Sequence, residues 1–112
     1  MKYHFKIHKE EIGFWAQCIE LAGCVTEADS MDQLQKNMQE ALDLYVDESE
    51  DSQELANLPD ESIHPTRTTV EVALNPQVAF AFMVRYYRIK HSLTQQQVVK
   101  KMVLGNNWGT LF

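Results

Sequence analysis

The chain has 112 residues, a formal net charge of −6, and a hydrophobic fraction of 45%. That length supports one compact domain with a small appendage, and it excludes large barrels and multi-domain enzymes. The apolar fraction is ordinary for a folded protein, which excludes wholesale disorder. The N-terminus lacks the apolar core of a signal peptide and no run of about 18 apolar residues occurs, so we expect a cytoplasmic protein without a membrane span.

The charge is divided between two regions. Residues 1–60 contain four basic and fourteen acidic residues, whereas residues 75–112 contain five basic residues and no acidic residue. We therefore expect two surfaces that attract different partners. The acidic region suits a basic protein, and the basic region suits nucleic acid.

The N-terminal residues predict an antiparallel meander of three strands. Apolar and polar residues alternate over residues 3–8, which is typical of a strand with one buried face. The polar side of this strand carries His4 and His8, which we expect in solvent. A turn then leads to two further β-prone segments, residues 14–19 and residues 23–26.

A tryptophan and two cysteines stand out in these strands. Alternation places Trp15 on the face opposite Ala16. An exposed tryptophan on a sheet is typical of an interface, although a covering helix would bury it instead. Cys18 and Cys24 are too few for a disulfide framework, so we expect small, reduced core residues.

A helix follows, and Ser30 marks its start. Gln33 stands three residues later, which is the capping-box spacing. Apolar residues then recur at spacings of three and four through Tyr45, and we expect this stripe to lie on the sheet. Residues 47–62 carry seven acids and predict a mobile connection or a short, poorly packed segment, within an acidic linker of about residues 47–66. Residues 67–74 alternate again and predict a fourth strand of the same sheet.

The second half of the chain predicts a more apolar helix. Asn75 is a preferred N-cap and Pro76 is tolerated in the first turn, so a helix should cover residues 76–91. This helix is apolar on two sides and needs two surfaces to pack against. We expect one of them to be another copy of the chain. The residues predicted to form this dimer contact are Phe80, Met83, Val84 and Tyr87.

Residues 75–112 also have the order of a helix-turn-helix unit. A break at Ser92 and a second capping-box start at Thr94 are followed by a turn at Gly105. Basic side chains suit phosphates, and amide side chains suit phosphates or base edges. The predicted DNA-binding residues are Arg85, Arg88, Lys90, Gln95, Gln96, Lys100, Lys101, Asn106 and Asn107. The alternative is a helical tail that mediates dimerisation and is basic without contacting DNA.

The acids of the first region leave two interpretations open. One is a solvated acidic face, formed by residues such as Glu20, Glu27 and Asp29, that attracts a basic partner. The other is a nuclease in which several carboxylates gather around Mg²⁺. Nothing in the spacing of these residues requires such a cluster.

Taken together, these segments resemble the HicB family, the antitoxins of HicA–HicB toxin–antitoxin pairs. The resemblance covers residues 1–48. After the first strand and its turn, it is carried by Phe14-Trp15-Ala16-Gln17-Cys18, by Gly23-Cys24-Val25-Thr26-Glu27, and by the Ser30-capped helix that ends in Ala41-Leu42-Asp43-Leu44-Tyr45. Two turn positions depart from the family pattern, namely Ala22 where Pro is usual and Ala28 where Gly is usual.

The resemblance implies an α+β fold in which residues 1–74 form a truncated ribonuclease H-like domain without catalytic carboxylates. It therefore implies no enzymatic activity, no cofactor and no metal. The domain is expected to bind and neutralise a small basic HicA-type toxin that cleaves mRNA. Toxin contacts are expected at Trp15, Gln17, Glu20, Glu27 and Asp29.

The resemblance further implies that residues 75–112 bind operator DNA as a dimer or higher oligomer and repress the operon. Residues 93–102 are similar to the phage-repressor class of helix-turn-helix. The chain ends where the groove-reading helix begins, so we expect this segment to be incomplete. The main alternative is a small metal-dependent ribonuclease on a ribonuclease H-like sheet. A third interpretation, an RNA-binding module, is disfavoured by the excess of acids in residues 1–60.

Overall fold

Six elements follow one another along residues 1–47 and 55–91, the residues that this computed structural model describes. They are β1 (Lys2–Lys9), β2 (Phe14–Cys18), β3 (Val25–Ala28), α1 (Met31–Val46), β4 (Thr69–Ala73) and α2 (Pro76–Lys90). The strands form one sheet in the order β3-β2-β1-β4, and every neighbouring pair is antiparallel. The prediction of an α+β fold with a helix packed on an antiparallel sheet is confirmed.

One face of the sheet packs on α1 and forms the core. Tyr3 and Phe5 of β1 are fully buried there. The buried residues of α1 recur every four positions and are Leu34, Met38, Leu42 and Val46. Burying one such side chain contributes about 2 kcal/mol. The predicted stripe is confirmed in its centre, whereas its ends, Met31 and Tyr45, are each 38% exposed.

Both helices begin at the predicted caps. Ser30 Oγ accepts a hydrogen bond from the backbone N–H of Gln33 at 3.2 Å. The side chain of Gln33 does not return to Ser30, however, and instead donates to Asn37 Oδ1 at 2.9 Å. Asn75 Oδ1 accepts from the N–H of Gln77 at 2.9 Å. Each cap satisfies a first-turn donor that has no partner within the helix.

The third strand begins later than residues 23–26 predict. Residues 21–24 form a turn, in which the N–H of Cys24 donates to the carbonyl of Leu21 at 3.2 Å. Gly23 adopts a φ of 86° in this turn, a conformation that only glycine reaches without strain. The turn occupies the residues that were expected to be extended, so β3 starts at Val25.

The described part of the predicted mobile linker packs against the end of the sheet. The hydroxyl of Tyr3 donates to the carbonyl of Asn57 at 2.7 Å, and Asn57 Nδ2 donates to the carbonyl of Glu20 at 3.0 Å. The N–H of Asp60 donates to the Glu20 carboxylate at 3.1 Å. The prediction is wrong here because the acidic composition of the segment hides contacts made largely by its backbone. Residues 48–54 of the predicted linker lie outside the described residues.

Gly13, at the β1–β2 turn, offers a test of the fold. Its φ is 84°, and a Cβ built on it would lie 2.7 Å from the carbonyl oxygen of Ala28. Gly13→Ala should lower the free energy of unfolding by about 2 kcal/mol, because backbone strain and a clash add. Gly23 is the matched control, since its φ is 86° and a Cβ there meets nothing within 4 Å.

Gly23→Ala should cost only about 1 kcal/mol, from backbone strain alone. Urea unfolding followed by circular dichroism measures both variants. Equal urea midpoints for the two variants would show that the close approach of the β1–β2 turn to β3 does not affect the free energy of unfolding.

Candidate interaction surface

The sheet face opposite α1 carries a second set of side chains. We call it the open face and define it by Lys6, His8, Trp15, Gln17, Val25 and Glu27. The register aligns them in two rows, because residues directly opposite on antiparallel strands point to the same side. One row is Glu27, Trp15 and His8, and the other is Val25, Gln17 and Lys6. Of the two positions that the sequence left open for Trp15, the structure therefore shows the one on the face opposite Ala16, away from the core.

The tryptophan at the centre of the first row is held in place by its neighbour. The rings of His8 and Trp15 stack with centroids 4.0 Å apart and an interplanar angle of 13°. Gln17 belongs to the second row, and its Nε2 lies 3.4 Å from Nε2 of His8. A large aromatic side chain that is already ordered loses little entropy when a partner covers it.

Acidic side chains border this tryptophan. A concavity of about 610 Å³ at the end of β3 is lined by Trp15, Glu27 and Asp29, with Glu10 from the β1–β2 turn. Exposed Ile12 also lines it. The structure thus brings three of the five predicted toxin contacts together and places Gln17 one row away. Such a surface combines an apolar floor with a negative rim.

Glu20, the fifth predicted contact, lies elsewhere and is buried. Its Oε1 accepts the backbone N–H of His4 at 2.9 Å, and its Oε2 accepts His4 Nδ1 at 2.7 Å. The Cys18 thiol donates to Oε1 at 3.7 Å. The expectations that Glu20 belongs to a solvated acidic face and that His4 faces solvent are therefore wrong. The two side chains are hydrogen-bonded to each other and are covered by the segment around Asp60.

The environment of Glu20 favours its ionised form. Burial by itself raises the pKa of this carboxyl, because a charge is disfavoured away from water. Hydrogen bonds from the His4 side chain and from the backbone N–H groups of His4 and Asp60 outweigh burial. The pKa of Glu20 therefore lies below its ordinary value, and the carboxylate stays charged inside the fold.

The two cysteines are core residues, as predicted. Cys18 and Cys24 are free thiols that are 5% and 3% exposed. The hydrogen bond with Cys24, together with burial, raises the pKa of the Cys18 thiol. The thiol of Cys18 is therefore held in its protonated form and donates to Glu20.

The three residues of α2 that were predicted to bind DNA differ in their exposure to solvent. Arg85 is 4% exposed, and its Nη2 donates to the carbonyl of Val46 at 3.2 Å, at the end of α1. The expectation that Arg85 contacts DNA is wrong in this structure, because the guanidinium binds a helix C-terminus that lacks its own basic residue. Arg88 is half-buried and Lys90 is exposed in the last turn of α2. The remaining predicted contacts, in residues 95–107, lie outside the described residues.

The residues predicted for the dimer contact also differ in their surroundings. Met83 packs against the core of the domain, and Val84 is buried. Phe80 is 51% exposed. The ring of Tyr87 is half-buried, with its centroid 4.2 Å from that of His91. The second apolar side of α2 is thus partly covered within the chain itself.

Within residues 1–47 and 55–91, no three His, Cys, Asp or Glu side chains gather where they could hold a metal ion. No helix in this described part is long and apolar enough to cross a membrane.

The residues that sequence reasoning missed are His4, Asn57 and Asp60, the partners of Glu20. No local spacing marks them, since His4 and Glu20 are 16 positions apart and Asp60 lies a further 40 away. The pairing of β1 with β2 brings Phe5 opposite Cys18 and so places His4 near Glu20. This pair could be identified only from the register in which β1 and β2 pair.

The fold and the open face define a small α+β domain with an acid-rimmed sheet surface that neither of the two described helices covers. No family model matches the chain. Over 48 residues, which are 42% of this chain and 70% of the relative, it is 38% identical to a UPF0150 protein of Archaeoglobus fulgidus. The chain therefore belongs to the UPF0150 family.

Proposed function

We propose that this protein is an antitoxin that binds and neutralises a small basic toxin of the HicA type. The observation that carries the proposal is the row formed by Glu27, Trp15 and His8 on the open face. The HicB-like motifs supply two of the three predicted toxin contacts that border the concavity, Trp15 and Glu27, and the third, Asp29, lies two residues after the second motif.

The surface suits a basic partner for physical reasons. A tryptophan that is ordered and rimmed by carboxylates provides apolar contact area and charge complementarity at the same place. Glu27 and Asp29 can pair with lysine or arginine side chains, while Trp15 packs against their aliphatic stems. The acid excess of residues 1–60 accelerates encounter with such a partner at low ionic strength.

Neutralisation then requires no chemistry from the antitoxin. A toxin that cleaves mRNA must present a basic surface to bind the phosphate backbone. If the open face covers that surface, RNA is excluded by both sterics and charge. Glu20 takes no part in this contact, because it is buried with His4.

The proposal extends to operator DNA. Arg88 and Lys90 in the last turn of α2 are described residues that remain candidates for phosphate contacts, with the basic residues beyond them. Repression as a homodimer would match a two-fold operator. Arg85 is left out of this set because it binds the end of α1.

A co-expression experiment tests the proposal. The gene is expressed with the small basic protein encoded beside it, and the pair is purified through a tag on the antitoxin alone. We expect a stable complex whose affinity falls as salt rises, and loss of RNA cleavage by the toxin in the complex. Absence of any association would reject the antitoxin function. RNA cleavage by the purified antitoxin with Mg²⁺ would favour the ribonuclease instead.

A matched pair of variants locates the contact. Glu27→Gln with Asp29→Asn removes two carboxylates from the rim of the concavity, and binding should weaken by about tenfold, or about 1.4 kcal/mol. Asp32→Asn with Glu40→Gln removes two exposed carboxylates of α1 and is the control. An equal loss from both pairs would indicate that overall charge, and not the open face, determines binding.

A further inference from the structure

The two edges of the sheet are protected unequally, and β4 is the protected one. The N–H of Ile7 donates to the carbonyl of Thr68 at 2.7 Å, so the backbone groups of Thr69, Glu71 and Ala73 point away from β1. Thr66 takes both outward groups of Thr69, through its N–H at 2.9 Å and its Oγ1 at 3.1 Å. Gln39 Nε2 donates to the carbonyl of Ala73 at 2.7 Å. Both ends of this edge are thus closed to another strand.

The edge at β3 is open over most of its length. The N–H of Cys18 donates to the carbonyl of Cys24 at 2.8 Å, so Val25 and Glu27 direct their backbone groups away from β2. Asn37 Nδ2 donates to the carbonyl of Glu27 at 2.8 Å. The other three outward groups, the N–H and carbonyl of Val25 and the N–H of Glu27, have no partner among the described residues.

We infer that the β3 edge accepts an extended segment of the basic partner as a fifth strand of the sheet. This inference rests on the proposed function and specifies how the partner docks. Unpaired backbone groups on an edge strand are a template for strand addition. The added strand would lie beside the open face, in line with the rows that contain Trp15 and Gln17.

The side chains of β3 define the chemistry of the added segment. Val25 is 54% exposed and Glu27 is also exposed, and both point to the open face. Directly opposite residues on neighbouring strands interact, so the residue facing Glu27 is a lysine or arginine. The residue facing Val25 is apolar and β-branched or aromatic. These two partner residues are separated by one position, because side chains alternate along a strand.

A proline at position 25 tests this docking directly. Proline removes the outward N–H and blocks close approach, but it costs no internal bond because that N–H does not pair with β2. We expect Val25→Pro to weaken binding of the small basic neighbour protein by on the order of tenfold or more in calorimetric titration. Val25→Thr is the matched control, because it keeps the backbone donor and the β-branched shape, and its affinity should stay close to that of the unchanged protein.

Hydrogen exchange of the unchanged protein provides a second measurement that no variant can disturb. The amides of Val25 and Glu27 should gain protection when the partner binds, whereas that of Thr26, which already faces β2, should change less. Unaltered affinity of Val25→Pro, or unaltered exchange at Val25 and Glu27 in the complex, overturns the inference while leaving the antitoxin function standing. No binding by the unchanged protein rejects both.

Discussion

Glu20→Gln is expected to lower the free energy of unfolding by about 3 kcal/mol, the cost of leaving a buried polar group unsatisfied. Each oxygen of the carboxylate accepts a backbone N–H, Oε1 from His4 and Oε2 from Asp60. A glutamine must place its NH₂ group on one of these two sides. In either orientation a donor faces a donor, so one backbone N–H in the buried cluster loses its acceptor.

The same substitution should change the dependence of stability on pH. The pKa of Glu20 lies below its ordinary value in the folded state because the hydrogen bonds from His4 and Asp60 outweigh burial. Its contribution is therefore complete above the unfolded-state pKa of about 4.3 and is lost as the pH falls through the lower folded-state pKa. The difference between the unchanged protein and Glu20→Gln should shrink as the pH falls below about 4.

Chemical unfolding at several pH values from neutral to acidic measures both effects. Glu27→Gln is the control, since Glu27 is exposed on the open face and its substitution should stay within about 0.5 kcal/mol. A stability difference for Glu20→Gln that remains constant across the acidic range would show that folding does not lower the pKa of Glu20.

Trp15→Ala is expected to weaken binding of the basic partner by about 30-fold, or about 2 kcal/mol, with little loss of stability. The indole lies at the centre of the row on the open face, between Glu27 and His8. Its removal takes away the largest apolar area of that surface and also releases the stacked His8 ring. Binding should therefore lose both contact area and preorganisation.

Leu44→Ala is the matched control for this substitution. Leu44 is a large apolar residue of α1, is 68% exposed, and lies on the opposite side of the sheet. Titration calorimetry with the neighbour protein compares the two variants, and thermal unfolding checks that both are folded. A similar loss of affinity for both, or for neither, would place the docking surface elsewhere on the domain.

The elements of this fold were predictable because their signals are local. The four-residue spacing in α1 reflects one buried face and is confirmed. Alternation in β1 correctly predicted a strand, although His4 on its polar side is buried. The caps Ser30 and Asn75 were predictable for the same reason, since the donor lies within three residues. Alternation also placed Trp15 opposite Ala16, but it left open which of the two sheet faces the helix covers.

The parts that sequence reasoning missed depend on contacts between distant segments. Glu20 and Arg85 are charged residues, and charged residues are normally exposed. Their burial depends on His4 in one case and on the end of α1 at Val46 in the other, and neither partner is marked by spacing. The segment around Asp60 was similarly hidden, because the Glu20 carboxylate binds the backbone N–H of Asp60, and a backbone donor has no sequence signal.

Two amide side chains of α1, those of Asn37 and Gln39, help to keep Trp15 on the open face. Asn37 and Gln39 are two positions apart, so they point to opposite sides of the helix, about 200° around its axis. They bind the carbonyls of Glu27 in β3 and Ala73 in β4, the two outermost strands. The helix is thereby hydrogen-bonded to both outer strands of the sheet. A shift of the β2 register by one residue would turn Trp15 toward the face that packs on α1. The two hydrogen bonds oppose such a shift because they fix the alignment of β3 and β4 relative to α1.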